Sequence, residues 1–211
     1  MQYTVLKDIY NIYIFGGVLQ RMLKGCNRIL ELGCGGNSLL VRTGITKKAD
    51  VVGVDIFKPY VDSHLARKTY SSCICADVTE VNFKDGEFDA VVCMDVLEHI
   101  PKGKVINSGL LYKMQRWANK IIITTPNGYV DNDIFENNPF QIHFSGWSVE
   151  ELRAYGYKVR GLSGWKQLRT KGAQLKYSTP FLFWAGLSFI SMGITYFIPR
   201  LSWHLLGTYK K

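Results

Sequence analysis

The sequence predicts an α/β fold built on a mostly parallel sheet with helices on both faces. Three observations predict it. Apolar runs of strand length at Arg28–Leu32, 51–55, Ser72–Cys75, Phe88–Met94 and 120–125 alternate with segments of helical pattern. Those runs are continuous in polarity instead of alternating, as expected of strands buried on both sides. Glycines stand where the first run gives way to a helix, the position at which such sheets turn toward a ligand.

Taken in order, residues 5–24 are expected as an N-terminal helix, with the segment 1–25 closed by Gly25. Helices are expected near 37–43, 59–68 and 102–118, between the strands. Residues 127–138 are rich in Asn and Asp and are expected as loop. Ser148-Val-Glu-Glu reads as a capping box with Glu151 at its third helical position. Residues 157–162 and 204–209 are expected as two final strands, which brings the sheet to seven. At 211 residues the chain has the length of one full domain, 1–211.

The net charge of +9 is unevenly placed. All 17 acids and 16 Lys/Arg lie in residues 1–151, whereas 152–211 hold ten Lys/Arg and no acid. A basic segment beside apolar residues suits anionic lipid, and no aromatic-rich RNA-binding module accompanies it, so nucleic acid is not the expected partner. The five cysteines form no C-x-x-C pair, which excludes zinc-site spacing and fits reduced thiols in the cytoplasm. Lys7 and Asp8 ahead of apolar residues 9–19, with no small-residue cleavage site after them, argue against a signal peptide.

The most informative stretch is Glu31-Leu-Gly-Cys-Gly-Gly-Asn-Ser38, between a strand and a helix. Gly33 and Gly35 permit a tight turn and close approach of the backbone to a ligand. Glu31 would repel a pyrophosphate and favour a cation. Ser38 occupies the third-glycine place of the dinucleotide fingerprint, so that fingerprint is incomplete. Asp55 ends the second strand, where a carboxylate can accept both hydroxyls of a ribose. A nicotinamide-dependent oxidoreductase is the competing reading, opposed by Glu31 and Ser38.

Through most of residues 28–163 the chain resembles the class I S-adenosylmethionine-dependent methyltransferases, of the type 11 or ubiquinone-pathway-like group. The resemblance implies a Rossmann-like seven-stranded sheet with the last strand antiparallel, and S-adenosylmethionine as cofactor. It implies that Glu31, Gly33, Cys34 and Gly35 line the methionine portion and that Asp55, followed by Ile56, binds the ribose. Asp77, followed by Val78, is similar to the residue that pairs the adenine amine, and Met94 closes the fourth strand of the family pattern. A cofactor-binding protein without turnover carries the same motifs and is a second competing reading.

His99 and His143 are the candidate catalytic or acceptor-positioning residues, since an imidazole accepts a proton near neutral pH. Asp95-x-x-Glu98-His99 with a distant His143 also resembles a metal set found in ubiquinone-pathway O-methyltransferases and in enzymes that methylate small-RNA 3′ ends. By that resemblance Asp95, Glu98, His99 and His143 would hold a divalent metal, with Asp95 one methylene shorter than the family's Glu.

Residues 177–199 carry no charge over 23 positions, long enough to span a bilayer. Gly186, Ser188, Ser191, Gly193 and Thr195 dilute the segment, and a last strand that rejoins the sheet requires the chain to return to its starting side. A helical insertion before that strand is therefore expected, buried or interfacial. Its aromatic residues would roof the pocket of a small or lipid-linked acceptor or dip into lipid, and peripheral contact of this basic, apolar region with a membrane is expected.

Overall fold

The computed structural model describes residues 15–132, 137–170, 174–177 and 179–211. The first part of the expected N-terminal helix, 5–14, and Ser178 of the apolar segment lie outside the described residues. Seven strands form one sheet in the order β3-β2-β1-β4-β5-β7-β6. Its strands are β1 (Arg28–Leu32), β2 (Asp50–Asp55), β3 (Ser72–Cys75), β4 (Phe88–Met94), β5 (Ala118–Pro126), β6 (Lys158–Trp165) and β7 (Ser202–Lys210). The chain divides into two compact units, Met1–Val92 with Arg116–Asn119 and Cys93–Gln115 with Lys120–Lys211.

In the first unit β1, β2 and β3 are parallel, with Glu31 beside Gly53 and Val54 beside Ile74. The apolar runs read from the sequence are buried here: Ile29, Leu30, Leu32, Val51 and Val54 are fully removed from solvent or nearly so. Helix α1 (Gly16–Met22) buries Leu19. Helix α2 (Leu39–Arg42) is a single turn, because Ser38 caps it through Leu40 N–H and Gly44 turns left-handed two residues beyond its end. Helix α3 (Lys58–Arg67) carries Pro59 in its first turn, where the missing N–H costs nothing, and ends at Lys68 in the left-handed region. Asp89 accepts from the backbone N–H groups of Asn27 (2.7 Å) and Arg28 (2.9 Å) and so fixes where β1 begins.

In the second unit the expected helix at 102–118 is two helices, α4 (Lys102–Ser108) and α5 (Leu110–Trp117). Gly109 lies between them at φ +67°, which breaks the hydrogen-bond ladder. Helix α6 (Val149–Ala154) opens with the capping box read from the sequence, both of its reciprocal bonds being formed. Strand β7 pairs antiparallel with β5 on one side and with β6 on the other, the arrangement expected for the last strand. Asn127, at the end of β5, holds the approach to β7. Its Nδ2 faces the carbonyls of Pro199 (3.2 Å), Arg200 (3.1 Å) and Ser202 (2.9 Å).

The apolar segment forms helix α7 (Phe181–Phe197) between β6 and β7. Among the described residues no helix is long and apolar enough to cross a membrane. The orientation of α7 inverts the usual rule. Its buried residues are Ser188, Ser191 and Thr195, while Leu182, Phe183, Phe189, Ile190, Ile194 and Phe197 are exposed.

Candidate functional site

The glycine loop of the first unit is built around two left-handed residues, Gly33 (φ +70°) and Gly35 (φ +54°). Their conformation, which L side chains rarely adopt, is what demands glycine. A Cβ at Gly35 would meet no atom within 4 Å, so that side of the loop is open to a ligand. The N–H groups of Gly33 (2.7 Å) and Cys34 (3.1 Å) both donate to the Val54 carbonyl and dock the loop on β2. The Gly35 N–H donates to Asp55 Oδ2 at 2.8 Å, and the Gly35 carbonyl accepts from His64 Nε2 at 2.6 Å.

Glu31 is only 2% exposed, and its carboxylate is held by hydroxyls. Ser38 Oγ donates to its two oxygens at 2.8 and 2.9 Å, and Tyr70 Oη donates at 2.6 Å. Burial pushes the Glu31 carboxyl up to about 7, against the pull of the Tyr70 and Ser38 hydrogen bonds. Asp55 is also raised by burial, while the N–H groups of Phe57 and Gly35 favour its charged form. Ile56, immediately after it, is 37% exposed and offers an apolar surface. Asp77 Oδ1 accepts from the Thr79 N–H (2.8 Å) and hydroxyl (2.7 Å), which orients the carboxylate after β3. Val78 is buried behind it, and Cys34 is buried with its Sγ 3.8 Å from Cys73 Sγ.

The chemistry of the first unit's loop suits a cationic ligand better than an anionic one. The loop presents open backbone, one acid ends β2 and another follows β3, and these carboxylates favour a cation over a pyrophosphate. Eight of the nine expected cofactor residues lie in the first unit; Met94 lies in the second, half-buried at the end of β4.

The second unit carries His99 and His143. His99 ends a short 3-10 turn, Leu97–His99, after β4. Its ring meets that of His143 edge-on at 4.6 Å between centroids. His99 Nδ1 lies 3.2 Å from the Ile142 carbonyl, and His143 Nδ1 is bonded to the Val130 carbonyl. A carbonyl only accepts, so both Nδ1 atoms carry the proton and both Nε2 atoms present a lone pair when the rings are neutral. Burial, and then the neighbouring His143, pull the His99 pKa below the ordinary imidazole value. Glu98 is buried against Thr125 Oγ1 (3.0 Å), and burial followed by the Asp95 charge pushes its carboxyl well up.

Ligand atoms of Glu98, His99 and His143 lie within 4.8 Å of one another. Asp95, the fourth residue of the expected metal set, is turned elsewhere: it accepts from Thr124 Oγ1 at 2.9 Å and lies 3.6 Å from His204 Nε2. Three roles absent from the sequence reading organise the loop: Ser38 as hydroxyl donor to Glu31, Tyr70 as the second donor, and His64 as the partner of the Gly35 carbonyl. Only Ser38 had a visible signal, since a serine before a helix is a cap.

Residues 30–109 match the family model described as a methyltransferase domain. An uncharacterised protein of Methanocaldococcus jannaschii is 27% identical over 133 residues, 62% of this chain and 55% of that protein. The ubiquinone biosynthesis O-methyltransferase of Coxiella burnetii is 36% identical over 87 residues, 39% of this chain and 36% of that protein. The chain thus spans about half or less of the length of these curated relatives. A solved structure of similar fold is the 1,6-didemethyltoxoflavin-N1-methyltransferase of Burkholderia thailandensis with bound S-adenosylhomocysteine. It has a TM-score of 0.59 at 14% identity and covers 98% of this chain and 80% of that one. The solved structure of the N-terminal domain of EvdMO1 in the presence of S-adenosylhomocysteine and D-fucose is also of similar fold, with a TM-score of 0.59 at 15% identity, and covers 93% of this chain and 81% of that one. Residues 30–109 are thus similar to a methyltransferase domain, and the chain shares the fold of solved S-adenosylmethionine-dependent methyltransferases.

Proposed function

We propose that the chain transfers a methyl group from S-adenosylmethionine to an oxygen of a small or lipid-linked acceptor, with His99 and His143 handling the acceptor's proton. Bound at the glycine loop, the cofactor supplies an electrophilic methyl on a sulfonium. Gly33, Gly35, Asp55 and Asp77, with Glu31, Cys34, Ile56, Val78 and Met94, are proposed to hold it. The observation that carries the catalytic reading is the paired tautomer of the two imidazoles. Each Nδ1 is pinned by a carbonyl, so each Nε2 is left as a base, and burial keeps His99 neutral. An acceptor hydroxyl hydrogen-bonded to such an Nε2 would give up its proton as its oxygen forms the bond to the methyl carbon and the sulfur–methyl bond breaks. The electron pair of that bond stays on sulfur, giving S-adenosylhomocysteine.

The oxygen as target draws on the name of the Coxiella burnetii relative, and the toxoflavin enzyme shows that the fold also serves nitrogen methylation. The lipid-linked acceptor draws on the outward apolar face of α7. The test is incubation with radiolabelled S-adenosylmethionine and the lipid and soluble fractions of a cell extract. Label is expected in one acceptor and is expected to fall sharply in His99→Gln and His143→Gln. Undiminished transfer in both variants removes the histidines from the reaction. Binding of S-adenosylhomocysteine without transfer to any fraction supports a binding protein without turnover.

A second reading rests on the approach of Glu98 to the histidine pair. A metal-binding imidazole commonly donates its second N–H to a carbonyl, as both rings do here. Glu98, His99 and His143 would hold a divalent ion, whose chemistry is to lower the pKa of an acceptor hydroxyl. Titration calorimetry with Mg²⁺ or Mn²⁺ decides between the readings: heat of binding lost in Glu98→Gln supports the metal, and its absence in the wild type removes it.

A further inference from the structure

Methyl transfer by itself does not determine what covers the outward face of helix α7. On a globular protein the apolar face of a helix turns inward, and a contiguous exposed apolar patch marks an interaction surface. Here Leu182 (83% exposed), Phe189 (65%), Ile190 (66%) and Phe197 (69%) point outward along a helix that has no charged residue.

The inner face explains why the helix cannot roll over. A Cβ on Gly161 of β6 would lie 2.1 Å from the Thr195 carbonyl oxygen, and one on Gly164 would lie 2.7 Å from Ser191 Oγ. The helix backbone therefore seats directly on the strand, through residues too small to be replaced by Phe or Ile. The buried hydroxyls are all engaged. Ser191 Oγ donates to the Ser188 carbonyl (2.6 Å) and accepts from the Trp165 N–H (2.9 Å); Thr195 Oγ1 donates to the Ser191 carbonyl (2.9 Å); and Ser188 Oγ accepts from Arg169. With its seat fixed by small polar contacts, α7 holds its large apolar side chains outward.

Charge indicates what meets them. The guanidinium of Arg160 lies over the rings of Tyr196 (5.4 Å) and Phe197 (5.7 Å) at one end of the helix. At the other end Lys176 lies over Tyr177 (5.6 Å), whose ring stacks on Trp184. Residues 152–211 contain no acid, although Arg200, exposed beyond the helix, is paired with Glu150 (2.5 Å). A second copy meeting this face about a two-fold axis would bring one basic rim against another. A bilayer with anionic headgroups instead takes the apolar side chains into its acyl boundary and pairs with the basic rim.

We propose that α7 is an in-plane membrane anchor, lying flat in the interface of an anionic bilayer with its Leu182, Phe189, Ile190 and Phe197 face inserted. At 17 residues it is about 26 Å long, which suits a helix lying in the interface, and crossing is not required of it. The proposal does not depend on which acceptor is methylated.

The test is co-sedimentation of the full chain with vesicles of phosphatidylcholine alone and of phosphatidylcholine mixed with phosphatidylglycerol. Binding is expected to the mixed vesicles and to weaken with salt. Phe189→Ser with Ile190→Ser, both exposed and so neutral to folding, is expected to reduce partitioning more than about tenfold. Arg160→Ala with Lys176→Ala is expected to reduce it about fivefold for each charge removed. A Phe189→Trp variant is expected to gain a blue-shifted emission on mixing with the anionic vesicles. Absence of binding by the wild type, undiminished binding by the serine pair, or an unshifted Phe189→Trp emission each overturns the proposal. A wild-type dimer in light scattering that the serine pair renders monomeric assigns the face to self-association and overturns it as well.

Discussion

Tyr70 donates its phenolic hydrogen to Glu31 across 2.6 Å, joining the residue ahead of β3 to the carboxylate that precedes the glycine loop. The two residues are far apart in sequence, and with Ser38 they enclose a carboxyl group that water does not reach. The loop is thus braced from beneath by a buried acid whose charge is costly.

That cost has a pH dependence. The folded pKa of Glu31, about 7, stands above its ordinary value of 4.5, so the folded state binds the extra proton between those limits. Its contribution to stability is fully present below pH 4.5 and is lost as pH rises through 7, by about 3 kcal/mol in all. Glu31→Gln keeps an acceptor for the hydroxyls without the charge. It is expected to unfold at higher urea than the wild type at pH 8 and to lose that advantage at pH 5.

Asp55 both braces the loop through Gly35 and is proposed to bind the ribose. Asp55→Ala is expected to weaken S-adenosylhomocysteine binding by about 1.5–3 kcal/mol, the range of charge-assisted hydrogen bonds. Asp55→Asn, which can still accept from Gly35, is expected to lose less. Calorimetry showing an unchanged dissociation constant in the alanine variant would count against the ribose assignment.

The base proposed at His99 must be unprotonated to act. Since burial and His143 lower its pKa, the acid limb of kcat/KM is expected below the ordinary imidazole value of 6.5. Activity should fall as pH drops through that limb and stay level above it. His99→Gln is expected to remove the limb and about two to four orders of magnitude of rate. A limb that survives the substitution assigns the titration to another group.

Gly161→Ala would drive a methyl group against the Thr195 carbonyl, which belongs to helix backbone and cannot swing aside. Overpacking of this kind costs about 1–3 kcal/mol. Urea denaturation is expected to show that loss. The same change at Gly186, where an added Cβ meets nothing within 4 Å, is expected to be neutral or slightly stabilising.

Much of the fold was legible because strand burial depends on local polarity. The runs at Arg28–Leu32, Ser72–Cys75 and Phe88–Met94 are strands with the expected bounds, and the capping box at Ser148 forms as written. Gly33 and Gly35 announced their loop because few residues tolerate its dihedral angles. Contacts between distant residues left no such mark. Nothing near Tyr70 points to Glu31, and nothing near Asp95 shows that it turns to Thr124 and His204 instead of joining Glu98. Gly109 looked like one more position in a helix because an isolated glycine is tolerated there, and only the structure shows it in the left-handed region. Hydropathy marked α7 as apolar but was silent on which side faced out. That was settled by two glycines on a different element.

The place of β7 has a consequence for how the chain is made. β6 stands at the margin of the sheet with β7 as its neighbour, and β7 is translated after the whole of α7. While the ribosome is still working through that helix, β5 and β6 each expose an unsatisfied backbone edge beside a cluster of greasy side chains. Nascent chains halted before Ser202 should therefore be the species that chaperones engage and that aggregate when chaperones are scarce.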